Sequence, residues 1–476
     1  MSGRIVRLTH VYLALLLLIS AATAYWQVVR GEELRASEYN PRRIEEERRT
    51  LRGRILDRRG VELAATQDGQ RRYAIPALAH VTGFYSLRYG TSGIERAYDG
   101  LLSGRAGEGP ITRTMRSLLH QPRRGGHVQL TVDAELQQVA DRAIGAAHGA
   151  VVLLDVQTGE VLVLLSKPLF DPNRIDAEWE QLRSAPAASS PQCSAQNPCA
   201  PLLNRATQGL YAPGSTFKVV TAAAALDSRL LQPNTPLPAC TGAYVVDGFR
   251  ILCQPRCDGV YDLTHALVFS CNAAFGRIGN MLGEERLREY ARRFGIGTAI
   301  PLEIATTPTQ FASGTNLSRP AVASTAFGQG ELLMTPLQMA LVAAAVANGG
   351  ELPAPRLVLR TLDRSGNTLE ESRPRTLGRV MSPQAAQQLT QMMVLAVEQG
   401  YGFQARIPGV RVAGKTGTAQ SSNDPAVPDH SWFIGFAPAD RPRYAIAVMM
   451  EFSGWGSLEA APVARRVLEA ALGRAG

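Results

Sequence analysis

From Leu8 to Val29 the chain runs apolar with no fixed charge, the longest such stretch it contains. At 1.5 Å rise per residue that run spans roughly 33 Å, enough to cross a bilayer core. Arg4 and Arg7 precede it, and Tyr25 and Trp26 sit near its far end, where amphipathic rings favour the interface. The pattern predicts a transmembrane signal anchor over 8–29, a cytoplasmic tail over 1–7, and everything after Arg30 outside the cytoplasm. A cleaved signal peptide is the alternative, because Ala22-Thr23-Ala24 has the small-x-small form of a cleavage site. The apolar run continues past that triplet, which favours a retained anchor.

Beyond the anchor, 31–105 is polar and basic, with weak strand patterns around Arg54–Leu56 and Arg72–Ile75, and a Gly/Arg/Pro-rich connector follows to 127. From Val128 the texture changes. The apolar runs Ala150–Leu154 and Val161–Leu165 flank Gln157-Thr158-Gly159 and predict a β-hairpin. Helical spacing marks Lys218–Leu226, Pro336–Ala347 and Pro383–Val397. Strand-like Trp432–Phe436 and Tyr444–Met450 then precede a helix over Ala461–Leu472. Strands at both ends with helices between them predict an α+β domain, one sheet with helices packed against it. Stretches 231–262 and 303–320 show neither period.

At 476 residues and 45% apolar content the chain can build more than one cored domain. Its net charge of +9 fits an arginine-rich surface, and no like-charge block or repeat points to nucleic acid. Six cysteines fit an oxidising compartment. The expected pairings are Cys193–Cys199, in the Ser/Pro/Ala-rich stretch 184–202, and Cys240–Cys253. A zinc site on Cys240, Cys253 and Cys257 is the rival, although His265 is a poor fourth ligand. No metal or cofactor is expected.

The whole chain contains three lysines, Lys167, Lys218 and Lys415, with arginine supplying every other basic side chain. Arginine cannot lose its proton near neutral pH, whereas a buried lysine can. Two of the three sit in patterned surroundings. In Pro213-Gly214-Ser215-Thr216-Phe217-Lys218, a turn leads into an Ala-rich helix with Ser215 in its first turn. Three residues apart, Ser215 and Lys218 face one side, so the lysine amine can take the proton from a serine nucleophile. In Ser270-Cys271-Asn272, a break between helical stretches lets Ser270 and Asn272 face one cleft. There Ser270 can relay a proton to a leaving group and Asn272 can hold a substrate amide; a plain helix cap by Ser270 is the alternative. In Val410–Thr418 the alternation predicts a strand on which Thr416 and Thr418 share a face and bind a carboxylate. Lys415 is asked only for charge and reach, Gly417 lets an extended substrate lie along the backbone, and the Thr418 and Ser215 N–H groups form an oxyanion hole. Gly409–Thr416 also satisfies the phosphate-binding-loop pattern, but no buried strand precedes it and a loop follows it, so it is a decoy.

S-x-x-K, S-x-N and K-T-G in this order resemble the penicillin-binding proteins and related β-lactamases. Arg52-Gly53-Arg54-Ile55-Leu56-Asp57-Arg58-Arg59-Gly60 is similar to the first box of class B penicillin-binding proteins. Gly125-Gly126-His127-Val128-Gln129-Leu130-Thr131-Val132-Asp133, Phe170-Asp171-Pro172-Asn173 and Thr335-Pro336-Leu337-Gln338 fit the same family. Val81-Thr82-Gly83-Phe84-Tyr85-Ser86 and Ala461-Pro462-Val463-Ala464 look closest to its penicillin-binding protein A branch. No large N-terminal glycosyltransferase domain accompanies them, which separates class B from class A.

The resemblance implies a small pedestal or dimerisation-like domain over 30–127 and a transpeptidase domain over 128–476, with an antiparallel sheet between helical regions. It implies Ser215 as the acylated nucleophile, Lys218 as its base, Ser270, Asn272 and Lys415 as catalytic partners, and Thr416, Gly417 and Thr418 as substrate-binding. Implied partners are peptidoglycan stem peptides ending in D-Ala-D-Ala, their lipid-linked precursor, a membrane glycan polymerase of the SEDS family, and β-lactams as inhibitors. A β-lactamase, a D,D-carboxypeptidase and a silent scaffold share the fold. Glu303 is the acid at the spacing a β-lactamase would use, and its surroundings suit a structural role better.

Overall fold

The computed structural model describes residues 2–30, 41–107, 109, 111, 115–116, 118–119, 121–186, 199–254, 256–257, 259–421, 424 and 426–473. Helix α1, Ser2–Ala24, continues as a wider turn over Tyr25–Val29. Within it Gly3–Gln27 is long and apolar enough to cross a membrane, with mean hydropathy 2.0 and none of its length buried against the protein. Large side chains such as Leu13, Leu17 and Leu18 find no apolar neighbours to cover them.

The shorter strands β1 (Ile55–Leu56), β2 (Glu62–Gln67), β3 (Gln70–Tyr73) and β4 (His127–Leu130) belong to a six-stranded sheet. Its remaining strands arrive from more than 200 residues later: Val358–Leu362 pairs with β4, and Thr368–Glu371 pairs with Val358–Leu362 at the sheet edge. β1 runs parallel to β4, and the other pairs are antiparallel. The first two family-like boxes meet here backbone to backbone. A Cβ on Gly53 would lie 1.6 Å from the Gly126 carbonyl oxygen, so only glycine fits.

Arg52 of the same box is equally constrained. Its guanidinium meets the fully buried Glu95 at 2.7 Å and Asp99 at 2.8 Å, while Arg71 approaches Glu95 from the other side at 2.6 Å. Tyr73 Oη donates to the same carboxylate at 3.2 Å. Two guanidiniums thus share one buried carboxylate.

Helix α2 (Ala134–Ile144) leads into the main sheet of β5 (Gly149–Asp155), β6 (Val161–Lys167), β7 (Ala413–Ala419), β8 (His430–Ala437) and β9 (Tyr444–Met450). The strand order is β7-β8-β9-β5-β6, antiparallel throughout. Every residue of β8 and β9 is buried, because helices cover both faces. One face packs on α6 (Pro336–Ala347), with α3 (Lys218–Asp227) in the same apolar core, and the other on α2 and α8 (Ala460–Gly473). Residues Pro336 to Val346 of α6 are all buried, which explains why that helix reads apolar all round. The expected α+β architecture, an antiparallel sheet between helical regions with a smaller N-terminal unit, is the one observed. Expected helices and strands recur within a residue or two, including α7 (Pro383–Glu398).

Between α3 and α6 the hairpin Ala243–Val246/Phe249–Leu252 occupies part of the stretch without a readable period. Cys240 and Cys253 bridge its base, as expected. Cys257 bonds Cys271, a pairing not anticipated. The zinc alternative fails because all three of its thiols are committed to disulfides. Cys193, assigned to Cys199, lies outside the described residues.

Removing Glu95 leaves two buried guanidiniums facing each other. Glu95→Ala should therefore cost roughly 3–5 kcal/mol, seen as a lowered melting temperature. Glu45→Ala, which breaks an exposed pair with Arg49, should cost under about 1 kcal/mol.

Candidate active site

The turn Pro213-Gly214 launches a 3₁₀ segment, Gly214–Phe217, and α3 begins only at Lys218. Ser215 therefore precedes the α-helix, where its first turn was expected. In 3₁₀ geometry residues three apart eclipse, which aligns Ser215 with Lys218 more directly than an α-helix does. Lys218 Nζ lies 3.0 Å from Ser215 Oγ.

Helix α4 (Leu263–Val268) ends just before Ser270, which adopts φ of +58°, and α5 (Asn272–Arg293) starts two residues later. The left-handed residue turns the chain so that Ser270 and Asn272 share one side, the arrangement a continuous helix forbids. The cap alternative fails, because Cys271 holds the N-cap position of α5 and Ser270 Oγ meets the lysine amines instead. Lys218 Nζ sits 2.6 Å from the Ser270 carbonyl, 2.6 Å from Asn272 Oδ1 and 3.1 Å from Ser270 Oγ. Lys415, on β7, donates to Ser270 Oγ at 2.9 Å and to the Thr416 carbonyl at 3.0 Å.

These contacts suit a neutral amine at Lys218. The two shortest neighbours of Lys218 Nζ are carbonyl oxygens, which only accept; the two longer ones are hydroxyls, which can donate. A neutral amine has two N–H groups for the carbonyls and one lone pair left for a hydroxyl. Burial and then the charge of Lys415 push Lys218 well below the ordinary lysine range. Burial alone presses Lys415 down to about 7. Lys415 is therefore no exposed point charge: at 2% exposure it is part of the same buried chain of polar groups. Lys167 lies apart, paired with Asp141 at 2.8 Å near the end of β6.

β7 is the edge strand of its sheet, so alternate backbone groups remain available along the cleft. Thr416 and Thr418 line a cavity of about 870 Å³ together with Ser215, Ser270 and Asn272. Gly417 has a structural reason that the sequence did not show. A Cβ there would lie 2.9 Å from the Pro213 carbonyl oxygen and 3.0 Å from Thr216 Cγ2, so glycine lets the nucleophile turn press against the strand. The phosphate-loop pattern at 409–416 is a turn entering this strand, with no helix after it.

Several supporting residues were invisible in the sequence. Trp432 Nε1 donates to the Ala212 carbonyl at 3.0 Å, and Gln254 Oε1 accepts from the Asn272 N–H at 2.6 Å. Arg205 and Glu451 form a buried pair at 2.9 Å that also receives Tyr211 Oη at 2.7 Å, just before the turn. All depend on contacts across 18 to 246 positions, which no local period reports. Glu303 lies outside this cavity and accepts from the Leu357 and Val358 N–H groups, a structural role as expected.

Compared with known proteins, residues 149–469 match the penicillin binding protein transpeptidase domain and 52–128 the penicillin binding protein A dimerisation domain. The chain is 36% identical to the peptidoglycan D,D-transpeptidase PbpA of Mycolicibacterium smegmatis, over 98% of each chain. It is also 36% identical to PbpA of Mycobacterium tuberculosis, over 99% of each. The solved structure of penicillin-binding protein A from M. tuberculosis as a ceftriaxone acyl-enzyme complex superposes with a TM-score of 0.81 at 35% identity, covering 90% of this chain and 100% of that one.

A neutral Lys218 makes two demands on acylation of Ser215. The rate should fall as pH drops through the lysine's lowered pKa, because protonation fills the lone pair. Lys218→Arg should lower the penicillin acylation rate constant by roughly 10²–10⁴-fold at every pH. Lys415→Arg should also cost about tenfold or more, since a guanidinium cannot shed its proton in so buried a site. Stopped-flow labelling with a fluorescent penicillin measures all three.

Proposed function

Because the chain belongs to the penicillin-binding protein transpeptidase family, in its class B branch, we propose that it is a peptidoglycan D,D-transpeptidase acting through an acyl-Ser215 intermediate. The observation that carries this reading is the continuous chain Ser215 Oγ, Lys218 Nζ, Ser270 Oγ, Lys415 Nζ, with links of 3.0, 3.1 and 2.9 Å. A stem peptide ending in D-Ala-D-Ala lies along β7 with its carboxylate at Lys415, Thr416 and Thr418. Neutral Lys218 takes the Ser215 proton as Oγ adds to the penultimate carbonyl, and the Ser215 and Thr418 N–H groups receive the oxyanion. As the tetrahedral species collapses, the carbon–nitrogen bond breaks and a proton passes through Ser270 to the departing D-Ala amine. An amine of a second stem then attacks the ester, giving up its proton to Lys218, and Ser215 is restored. Asn272 holds the donor's amide, and Gly417 keeps the nucleophile turn against β7.

β-Lactams enter the same cleft as substrate mimics and are its inhibitors. A β-lactamase needs a second base beside the ester, and Glu303 is committed to backbone N–H groups elsewhere. Deacylation is accordingly slow.

The anchor reading places α1 across the cytoplasmic membrane with Arg4 and Arg7 inside and the catalytic domain outside. Residues 30–127 act as the pedestal and 128–476 as the transpeptidase domain, the strands at 358–371 tying the two together through their common sheet. A membrane polymerase of the SEDS family, making glycan strands from lipid-linked precursor beside α1, is the fitting partner.

Intact-mass spectrometry after benzylpenicillin treatment should show one adduct on Ser215 that persists for many minutes, and none in Ser215→Ala. Rapid turnover of the antibiotic without an adduct would place the chain with the β-lactamases.

A further inference from the structure

The cleft that contains Ser215 carries one feature the acylation chemistry leaves unused. The β7–β8 register ends with Thr418 paired with Ser431 and Ala419 with His430, and Gln420 and Asp429 are the next residues beyond that last pair. Both line the cleft beyond Thr418. The Asp429 side chain is half-buried, burial pushes its carboxyl up, and a backbone hydrogen bond from Ser421 offsets this only in part. Among the described residues no lysine or arginine forms an ion pair with it. The Asp429 carbonyl accepts from the Gly454 N–H at 2.8 Å, which brings the next residue, Trp455, to the same rim. Trp455 is 66% exposed and lines the cleft. A partly desolvated carboxylate without a cation is an unfavourable arrangement that a cationic ligand relieves, and an indole face adds to that attraction.

The direction of the strand says where such a cation comes from. With the donor carboxylate at Thr416 and the reacting carbonyl at Thr418, the rest of the donor runs on toward Gln420, about 14 Å from Thr416 at strand spacing. A tetrapeptide covers that distance. The reaction joins two stems of one kind, so the amine that one stem offers as acceptor is also present on the donor, upstream of D-Ala-D-Ala. We propose that Asp429, with Trp455 beside it, forms a subsite for a primary ammonium carried by the stem peptide. The proposal rests on the transpeptidase reading.

Ampicillin and benzylpenicillin serve as probes, because they differ by a single ammonium on the side chain that occupies the donor position. In the full chain in detergent near pH 7, where an α-ammonium is largely protonated, acylation rate constants are measured for both. In Asp429→Asn the ratio of the ampicillin to the benzylpenicillin constant should fall about tenfold, and Asp429→Glu should restore most of it. A second arm uses a thioester donor without a cation and follows partition of the acyl-enzyme between water and a D-amino acid. A drop in transfer confined to this arm assigns the subsite to the acceptor ammonium, and a drop confined to the penicillin ratio assigns it to the donor. A ratio and a partition both unchanged within twofold would overturn the subsite while leaving Ser215 acylation intact. If neither penicillin acylates the wild-type chain, the transpeptidase reading falls, and the subsite with it.

Discussion

Everything distinctive about this site follows from burying two lysine amines within hydrogen-bonding distance of one serine hydroxyl. In water each amine would hold its proton near neutral pH. Here burial opposes both charges, and the charge of Lys415 further opposes that of Lys218, so the pair cannot stay doubly protonated at little cost. The carbonyls of Ser270 and Asn272 take the N–H bonds of Lys218 and so turn its lone pair toward the hydroxyls. On the reading proposed above, a weak nucleophile thereby gains a base without histidine. Arginine, which supplies every other basic side chain but Lys167, would fail in these two places.

Holding that arrangement takes three separated segments, and the fold explains how they meet. Helix α3 enters the core behind its 3₁₀ turn, the α4–α5 break is held in a left-handed turn at Ser270, and β7 offers a free edge beside both. Close contact of the first with the last depends on Gly417, where any side chain would collide with the nucleophile turn. The Cys257–Cys271 bond fixes the middle residue of the second segment, and Trp432 fixes the residue before the turn. The N-terminal sheet borrows two strands from beyond residue 350, so the N-terminal part and the later part of the chain share backbone hydrogen bonds.

Much of this was legible in the residues. Long periodic stretches such as Pro336–Ala347 and Tyr444–Met450 declared themselves because burial imposes their pattern, and Ser215, Lys218, Ser270, Asn272, Lys415, Thr416, Gly417 and Thr418 do converge on one cleft. The misreadings have physical causes. Strand alternation says nothing about depth, so Lys415 was asked only for charge and reach although its neighbours bury it. A helix signal and a 3₁₀ signal are the same over four residues, which blurred the start of α3. The partner of Cys257 depended on a loop closing in space, and Gly417 on a turn arriving from 200 positions away. No period encodes those distances.

Because the chain has only three lysines, the central claim can be observed directly. Lysine labelled with ¹³C at Cε gives three side-chain resonances, and Lys167→Arg removes one to aid assignment. In a pH titration of the folded Lys167→Arg protein, the Lys218 and Lys415 resonances should both titrate well below the ordinary lysine range, with Lys415 near 7. Both titrating near the ordinary lysine value would contradict the account, because the base at Ser215 would then be charged and without a lone pair.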